Sequence, residues 1–219
     1  MELELHQFKT FKIYQPKDGY RFATEPFVLT YSLKGFKSKV FVDFGSGCGI
    51  VAILLAKNNP ESKIIAIEKN QQMIDVIKKN IQINGTSNIS ISKVEDVSTN
   101  SVDFFITNPP YFTKEAYRIS KFTEEKFEED GFLNFMIRSA RRVLKNKGIL
   151  KVSYHPTRLV ELLETLKDNK FGTKSILPVY GNDKSKASFL VIDAMLSGKD
   201  YVEFLSPLFL SRDTTWLVM

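Results

Sequence analysis

Residues 40–49 read VFVDFGSGCG, and how this stretch is read decides the fold. An apolar run ends at Asp43 and Phe44, glycines follow at alternate positions (Gly45, Gly47 and Gly49), and a helix-like run, IVAILLAKNN, starts at Ile50. Strand, glycine turn and helix in that order place backbone amides at a helix N-terminus, where they can meet a polar ligand. Glycine suits the turn because a Cβ would collide with a ligand held that close. The spacing excludes two phosphate-binding motifs. A dinucleotide fingerprint asks for a third glycine where this chain has Ile50, and a phosphate-cradling loop asks for a Gly-Lys-Ser/Thr triplet that is absent. Cys48 lies inside the loop with no histidine near it in sequence, so it reads as a small packing residue rather than a nucleophile.

Outward from this corner, apolar runs alternate with helix-length amphipathic stretches. The runs are KVFVDF (39–44), KIIAIE (63–68), ISISKV (89–94), VDFFIT (102–107), GILKVSY (148–154), TKSILPVY (173–180) and SFLVIDAM (188–195). Helical patterns cover 50–59, 71–85 with a terminal Asn-Gly, 132–148 with a terminal glycine, and 155–169 with Pro156 near the start. Seven such runs predict an α/β protein with a mostly parallel seven-stranded sheet covered by helices on both faces. Ligands of such sheets sit beyond the carboxyl ends of the strands, so the loops after Phe44, Glu68, Val94 and Ile106 are where chemistry is expected. Ahead of this unit, residues 3–22 alternate loosely and pass the turn-prone PKDG, predicting a β-hairpin and then a short helix at TEPFVLTYSL (24–33). Residues 1–38 are thus expected to form a flap of the same unit, and 39–219 its main domain.

Composition narrows the function. The chain has 219 residues, 43% hydrophobic and 26% charged, which suits one globular unit rather than a disordered chain. Lys and Arg outnumber Asp and Glu by 31 to 25, and a net charge of +6 is compatible with a polyanionic partner. One cysteine excludes an internal disulfide, and two distant histidines, His6 and His155, leave no zinc-ligand spacing, so no metal is expected. The charged start, MELELHQFKT, and the lack of any run near the roughly 18 apolar residues of a membrane span predict a cytoplasmic protein without a membrane partner.

Two further features carry chemistry. Glu68 ends the second run, 23 positions beyond Gly45, where a carboxylate can accept both hydroxyls of a ribose. Residues 108–111 read NPPY, behind the apolar VDFFIT. Tandem prolines fix φ at two residues and remove their N–H groups, leaving rigid carbonyl acceptors. Asn108 adds a side-chain carbonyl, and Tyr111 an aromatic face with a polar tip. A planar NH2 group matches this set. Its hydrogens fit the Asn108 side chain and the Pro109 carbonyl, with Pro110 stiffening the corner and Tyr111 stacking on the plane, so positioning and electrostatics can carry a transfer step without a strong base.

The G-x-G-x-G loop preceded by Asp43 resembles motif I of the class I S-adenosylmethionine-dependent methyltransferases, and NPPY resembles the (D/N/S)PP(Y/F) box of amino methyltransferases. Over nearly the whole chain, GYRFATEPFVLTYSL, NPPYF and the stretches from VSYHPTRL to VIDAMLSGKD resemble the bacterial tRNA1(Val) adenine-37 N6-methyltransferases. The resemblance implies a Rossmann-like class I methyltransferase fold, S-adenosylmethionine as cofactor and tRNA as partner, in a monomer or weak dimer. It implies cofactor contacts from Thr24, Asp43, Gly45, Ser46, Gly47, Gly49, Glu68, Lys69, Glu95, Asp96 and Asn108, with Asp96 facing the adenine of the cofactor and Glu95 able to exchange with it. Asn108, Pro109, Pro110 and Tyr111 would form the catalytic corner, and Tyr20, Arg21, Phe112, Lys114 and Arg118 would meet the tRNA. The chain departs from the family pattern at Glu25, where an Asp is usual, and at RISKFTEEKFEEDGFLNF after NPPY. Arg138, Arg141 and Arg142, on a helix with Phe135 and Leu144, read as a solvated face, and His155 as structural. Methylation of a release-factor glutamine uses the same NPPY chemistry and is one alternative from within the superfamily, although those enzymes carry a longer helical region where only 38 residues precede the first strand here; methylation of adenine N6 or guanine N2 in another RNA or in DNA is the other. An RNA-binding module with a vestigial cofactor pocket, and an NAD-dependent oxidoreductase, disfavoured by Ile50, are the alternatives from other classes.

Overall fold

A computed structural model describes residues 1–18, 21–109, 112–113, 127–128 and 131–211. Strands β1 (Leu3–Gln7) and β2 (Lys12–Pro16) form an antiparallel hairpin that turns where the Phe8 amide donates to the Phe11 carbonyl at 2.9 Å, ahead of PKDG. Helix α1 (Glu25–Tyr31) follows, with Pro26 in its first turn, where a missing amide costs nothing. The main unit then runs β3 (Val40–Phe44), α2 (Ile50–Asn58), β4 (Lys63–Ile67), α3 (Gln71–Asn84), β5 (Ile89–Ser92) and β6 (Val102–Thr107). Two short strands, β7 (Phe112–Thr113) and β8 (Phe127–Glu128), pair in parallel. They precede α4 (Phe132–Val143), β9 (Leu144–Tyr154), α5 (Leu159–Asp168), β10 (Phe171–Tyr180) and β11 (Ala187–Leu196). Two-residue strands β12 (Glu203–Phe204) and β13 (Leu208–Phe209) both add to the edge of β10.

Every apolar run becomes a strand of one sheet. Its order is β12-β10-β11-β9-β6-β3-β4-β5, and among the seven long strands only β11 runs antiparallel to its neighbours. The expected class I α/β fold is therefore present, with the short β12 and β13 in addition. Alternation along β3 divides the core between two faces. Phe41 packs with Ile53, Ile64 and Ile77 under α2 and α3, whereas Val42 and Phe44 pack with Phe105, Met136 and Leu150 under α4. Burial on both faces explains why the strands read as continuous apolar runs.

Local signals set the helix ends. Asn70 caps α3, its side chain accepting from the Gln72 and Met73 amides, and Gly85 ends it at φ +62°. The pattern over 132–148 is broken sooner than expected. Helix α4 stops at Val143, and Leu144, which pairs with Val102, opens β9 instead of continuing the helix. The Arg142 and Val143 carbonyls take the Asn100 and Ser101 amides at 3.1 and 2.8 Å, a long-range pairing that periodicity does not report. Gly148 therefore lies within β9, where a Cβ would come 2.8 Å from the Lys145 carbonyl.

Two asparagines one turn apart on α3 dock the hairpin. Asn80 accepts from the Tyr14 amide at 2.7 Å and donates to the Tyr14 carbonyl at 2.8 Å. Asn84 accepts from the Lys12 amide at 3.0 Å and donates to the Lys12 carbonyl. Four residues of helix rise about 6 Å and two residues of strand about 6.6 Å, so the two periodicities match and each side-chain amide reads one strand peptide pair. Asn80, fully buried, also donates to the Cys48 carbonyl at 2.8 Å, joining the hairpin to the glycine loop.

Candidate active site

The parallel register puts Ser92, Ile67, Phe44, Thr107 and Val152 in one row across β5, β4, β3, β6 and β9. The residues one step beyond that row, Glu68, Gly45, Asn108 and Ser153, share the carboxyl edge. The loop after β3 folds over the end of β4, where the Gly45 and Ser46 amides both donate to the Ile67 carbonyl at 2.9 Å. Gly45, Gly47 and Gly49 have φ of +74°, +53° and +84°, a region costly for residues with a Cβ. Among the described residues, a Cβ built on Gly45 or Gly47 would meet nothing within 4 Å, so they leave the space above the loop open. At Gly49 it would press on Ile77 at 3.2 Å, so this glycine serves helix packing as well as conformation.

Glu68 shapes the loop. One carboxylate oxygen accepts from the Gly47 amide at 2.8 Å, and the other from the Lys69 and Asn70 amides at 2.8 and 2.9 Å. Each oxygen has more than one acceptor direction, so these contacts orient the carboxylate and leave capacity for a ligand hydroxyl. Asp43 is 2% exposed and accepts from the Ala52 amide at 3.1 Å, a carboxyl set against the first turn of α2. Burial pushes its carboxyl up to about 7, and the Glu68 charge adds to this, while hydrogen bonds from Ser46 and Ala52 oppose it. The Ser46 hydroxyl is 2.9 Å from the Asp43 carbonyl, to which it donates. Burial pushes the Cys48 thiol up to about 12, in keeping with its reading as a packing residue.

Asn108 directly follows β6 beside the glycine loop, half-buried, with Pro109 buried behind it. Its side-chain carbonyl accepts from the hydroxyl of Ser153, which is fully buried on β9. Ser153 was not singled out by sequence, because a serine inside an apolar run carries no signal until register sets it next to Asn108. Glu95 and Asp96 lie in the exposed turn after β5, and Thr24 caps the start of α1 with its backbone carbonyl. Lys69 is exposed at the start of α3. Arg21 is bound to the hairpin, 2.6 Å from Glu4, and so starts from an existing ion pair. Phe112 lies in β7, and Tyr20, Pro110, Tyr111, Lys114 and Arg118 fall outside the described residues. His155 caps the turn before α5, its ring nitrogen accepting from the Thr157 amide. Arg142 is not solvated as expected, because its guanidinium donates to the Val94 and Val97 carbonyls and braces the turn that carries Glu95 and Asp96. Among the described residues no helix is long and apolar enough to cross a membrane.

Known proteins resemble this chain in sequence and in fold. The model of the methyltransferase small domain matches residues 22–174. A tRNA1(Val) (adenine(37)-N6)-methyltransferase of a Flavobacteriaceae bacterium is 25% identical over 195 residues, covering 85% of this chain and 82% of the relative. A release factor glutamine methyltransferase of Flavobacterium psychrophilum is 33% identical over 171 residues, covering 70% of this chain but 58% of the relative. Among solved structures, a predicted O-methyltransferase of Agrobacterium tumefaciens superposes with a TM-score of 0.70 at 17% identity, covering 84% of this chain and 86% of the other, a likeness of fold.

Proposed function

Because the chain belongs to the methyltransferase small domain family, we propose that it methylates N6 of an adenine in the tRNA anticodon loop, with S-adenosylmethionine as donor and adenine 37 of tRNA1(Val) as target. The observation that carries this reading is the adjacency of Asn108 and the glycine loop: successors of hydrogen-bonded partners Thr107 and Phe44, they put an acceptor for NH2 next to an open ligand cradle.

The residues present fit the cofactor. The space over Gly45 and Gly47 would take a ligand lying against the loop, and the carboxylates of Glu68 and Asp96 suit hydroxyl and amine donors rather than a pyrophosphate. Gly45, Ser46, Gly47, Glu68 and Asp96 would hold it, with Asp43 and Gly49 shaping the loop from behind. When bound, the cofactor supplies an electrophilic methyl group on a positively charged sulfur.

The chain's own contribution is positioning. Asn108 Oδ1 and the Pro109 carbonyl accept the two hydrogens of the adenine NH2, which turns the nitrogen lone pair out of conjugation and toward the methyl group. The Ser153 hydroxyl donates to Asn108 Oδ1 and so fixes the orientation of the amide. With no strong base needed, the extra proton leaves the nitrogen for water after transfer.

Two facts favour tRNA over a protein substrate: the match to the tRNA-modifying relative runs through more than four-fifths of both chains, and the net charge is +6. The identity to the release-factor enzyme makes that the competing outcome. Purified protein would be incubated with labelled S-adenosylmethionine and either unmodified tRNA or release factor, followed by nucleoside and peptide mass spectrometry. N6-methyladenosine in tRNA, lost in Asn108→Ala while cofactor binding persists, is the expected result. Label in release-factor glutamine with none in tRNA would overturn the reading.

A further inference from the structure

A groove of about 760 Å3 runs along α4, lined by Glu95, Phe135, Arg138, Arg141 and Arg142 among others. Gly45, Gly47, Glu68, Asp96 and Asn108 do not line it, and Glu95 is the one expected cofactor contact that it shares. It is nevertheless close by. Glu95 precedes Asp96, and the Phe135 ring lies 6.2 Å from that of Phe44, the residue before Gly45.

Its chemistry is lopsided. Among the described residues that line it, three guanidiniums share the groove with one carboxylate, and Arg142 is already spent on the Val94 and Val97 carbonyls. Arg138 and Arg141 are exposed, and neither makes a hydrogen bond or ion pair among the described residues. Phe135, Arg138 and Arg141 follow one another at intervals of three, which puts them on one side of the helix. The buried side is supplied by Leu133, Met136, Ile137, Ala140 and Val143, so α4 does not need Phe135 for its core. Phe135 is 49% exposed, a flat apolar ring held at the surface beside the row of cations.

Resting on the tRNA reading, we propose that this groove holds a single-stranded stretch of the RNA substrate, with Arg138 and Arg141 gripping phosphates and Phe135 stacking an unpaired base. Guanidinium forks match phosphate oxygens, and an aromatic face holds any base through its π surface, so the pair of features selects a ligand that repeats phosphate and planar ring. A small anion would have no use for the ring, and an acidic peptide does not repeat charge and planar ring at every unit as a nucleic acid does. Because the groove borders the turn after β5, RNA held there continues toward the carboxyl edge where Asn108 lies.

The test measures equilibrium binding of unmodified tRNA across a series of salt concentrations for wild type, Arg138→Ala/Arg141→Ala and Phe135→Ala. Losing two phosphate contacts to a single strand should lower the slope of log affinity against log salt by about 1.4. Phe135→Ala should weaken binding on the order of tenfold with the slope unchanged. Calorimetry with S-adenosylmethionine should give wild-type affinity for both variants, which shows that the fold is intact. Wild-type slope and affinity in both variants would overturn the groove while leaving the tRNA reading standing. Failure of the wild type itself to bind tRNA would overturn that reading, and weakened release-factor binding with tRNA binding untouched would assign the groove to a protein.

Discussion

Asparagine in place of Asp43 should stabilise the protein near pH 8 and change its stability little near pH 4. Asp43 is 2% exposed, and burial is the main cause that raises its carboxyl from 3.8 to about 7. Between those values the unfolded chain has released a proton that the folded chain keeps, so rising pH favours unfolding. The contribution is fully present below 3.8 and is lost as pH climbs through about 7. At about 1.4 kcal/mol per pH unit, the interval corresponds to about 4 kcal/mol. Asparagine is isosteric and neutral, and its Oδ1 can still accept from the Ala52 amide, so it escapes this loss. For a chain of 219 residues, each kcal/mol moves the melting temperature by roughly 2–4 °C. The assay is thermal and urea unfolding of both proteins at matched pH values from about 4 to 8, reading only the difference between them, which cancels other titrating groups. A difference that stays constant across the range would refute the reasoning, because it would mean that Asp43 titrates alike in both states.

Two further outcomes follow from the carboxyl edge. Ser153→Ala should lower kcat on the order of tenfold with the KM for S-adenosylmethionine unchanged, since the lost hydroxyl orients Asn108 rather than binding the cofactor, and Ser153→Thr should restore much of it. Equal loss in the Ala and Thr variants, or a shifted cofactor KM, would deny that role. Gly49→Ala and Gly47→Ala should part company. The first loses on the order of 1–3 kcal/mol of folding stability by urea unfolding, because its Cβ presses on Ile77, while the second loses cofactor affinity by calorimetry more than stability.

What was legible in the sequence was whatever depends on neighbours along the chain. Buried strands read as apolar runs because both faces are covered, and the glycine spacing located the loop after β3 because φ at Gly45, Gly47 and Gly49 is positive. What escaped depends on pairing at a distance. The apolar periodicity of 132–148 runs past Val143 into Leu144, which pairs with Val102, so the helix could not be ended from its own residues. Ser153 gains meaning only from the register that puts it beside Asn108, and Arg142 only from the Val94 and Val97 carbonyls it reaches across the fold. Asn80 and Asn84 read as unremarkable polar positions on α3, since nothing local says that a strand will lie across them.

The Asn80 side chain has a consequence for how the two ends of the molecule communicate. It has one carbonyl and two N–H groups, and all three are engaged, two by the Tyr14 peptide groups and one by Cys48. Were the hairpin to lift away, the amide would keep a single ligand in a dry interior and would have to rotate or admit water to recover the others. Either adjustment pulls on the carbonyl between Gly47 and Gly49. The N-terminal strands thus act as a splint for the loop, and whatever seizes or displaces them from outside would be felt at the glycines of that loop.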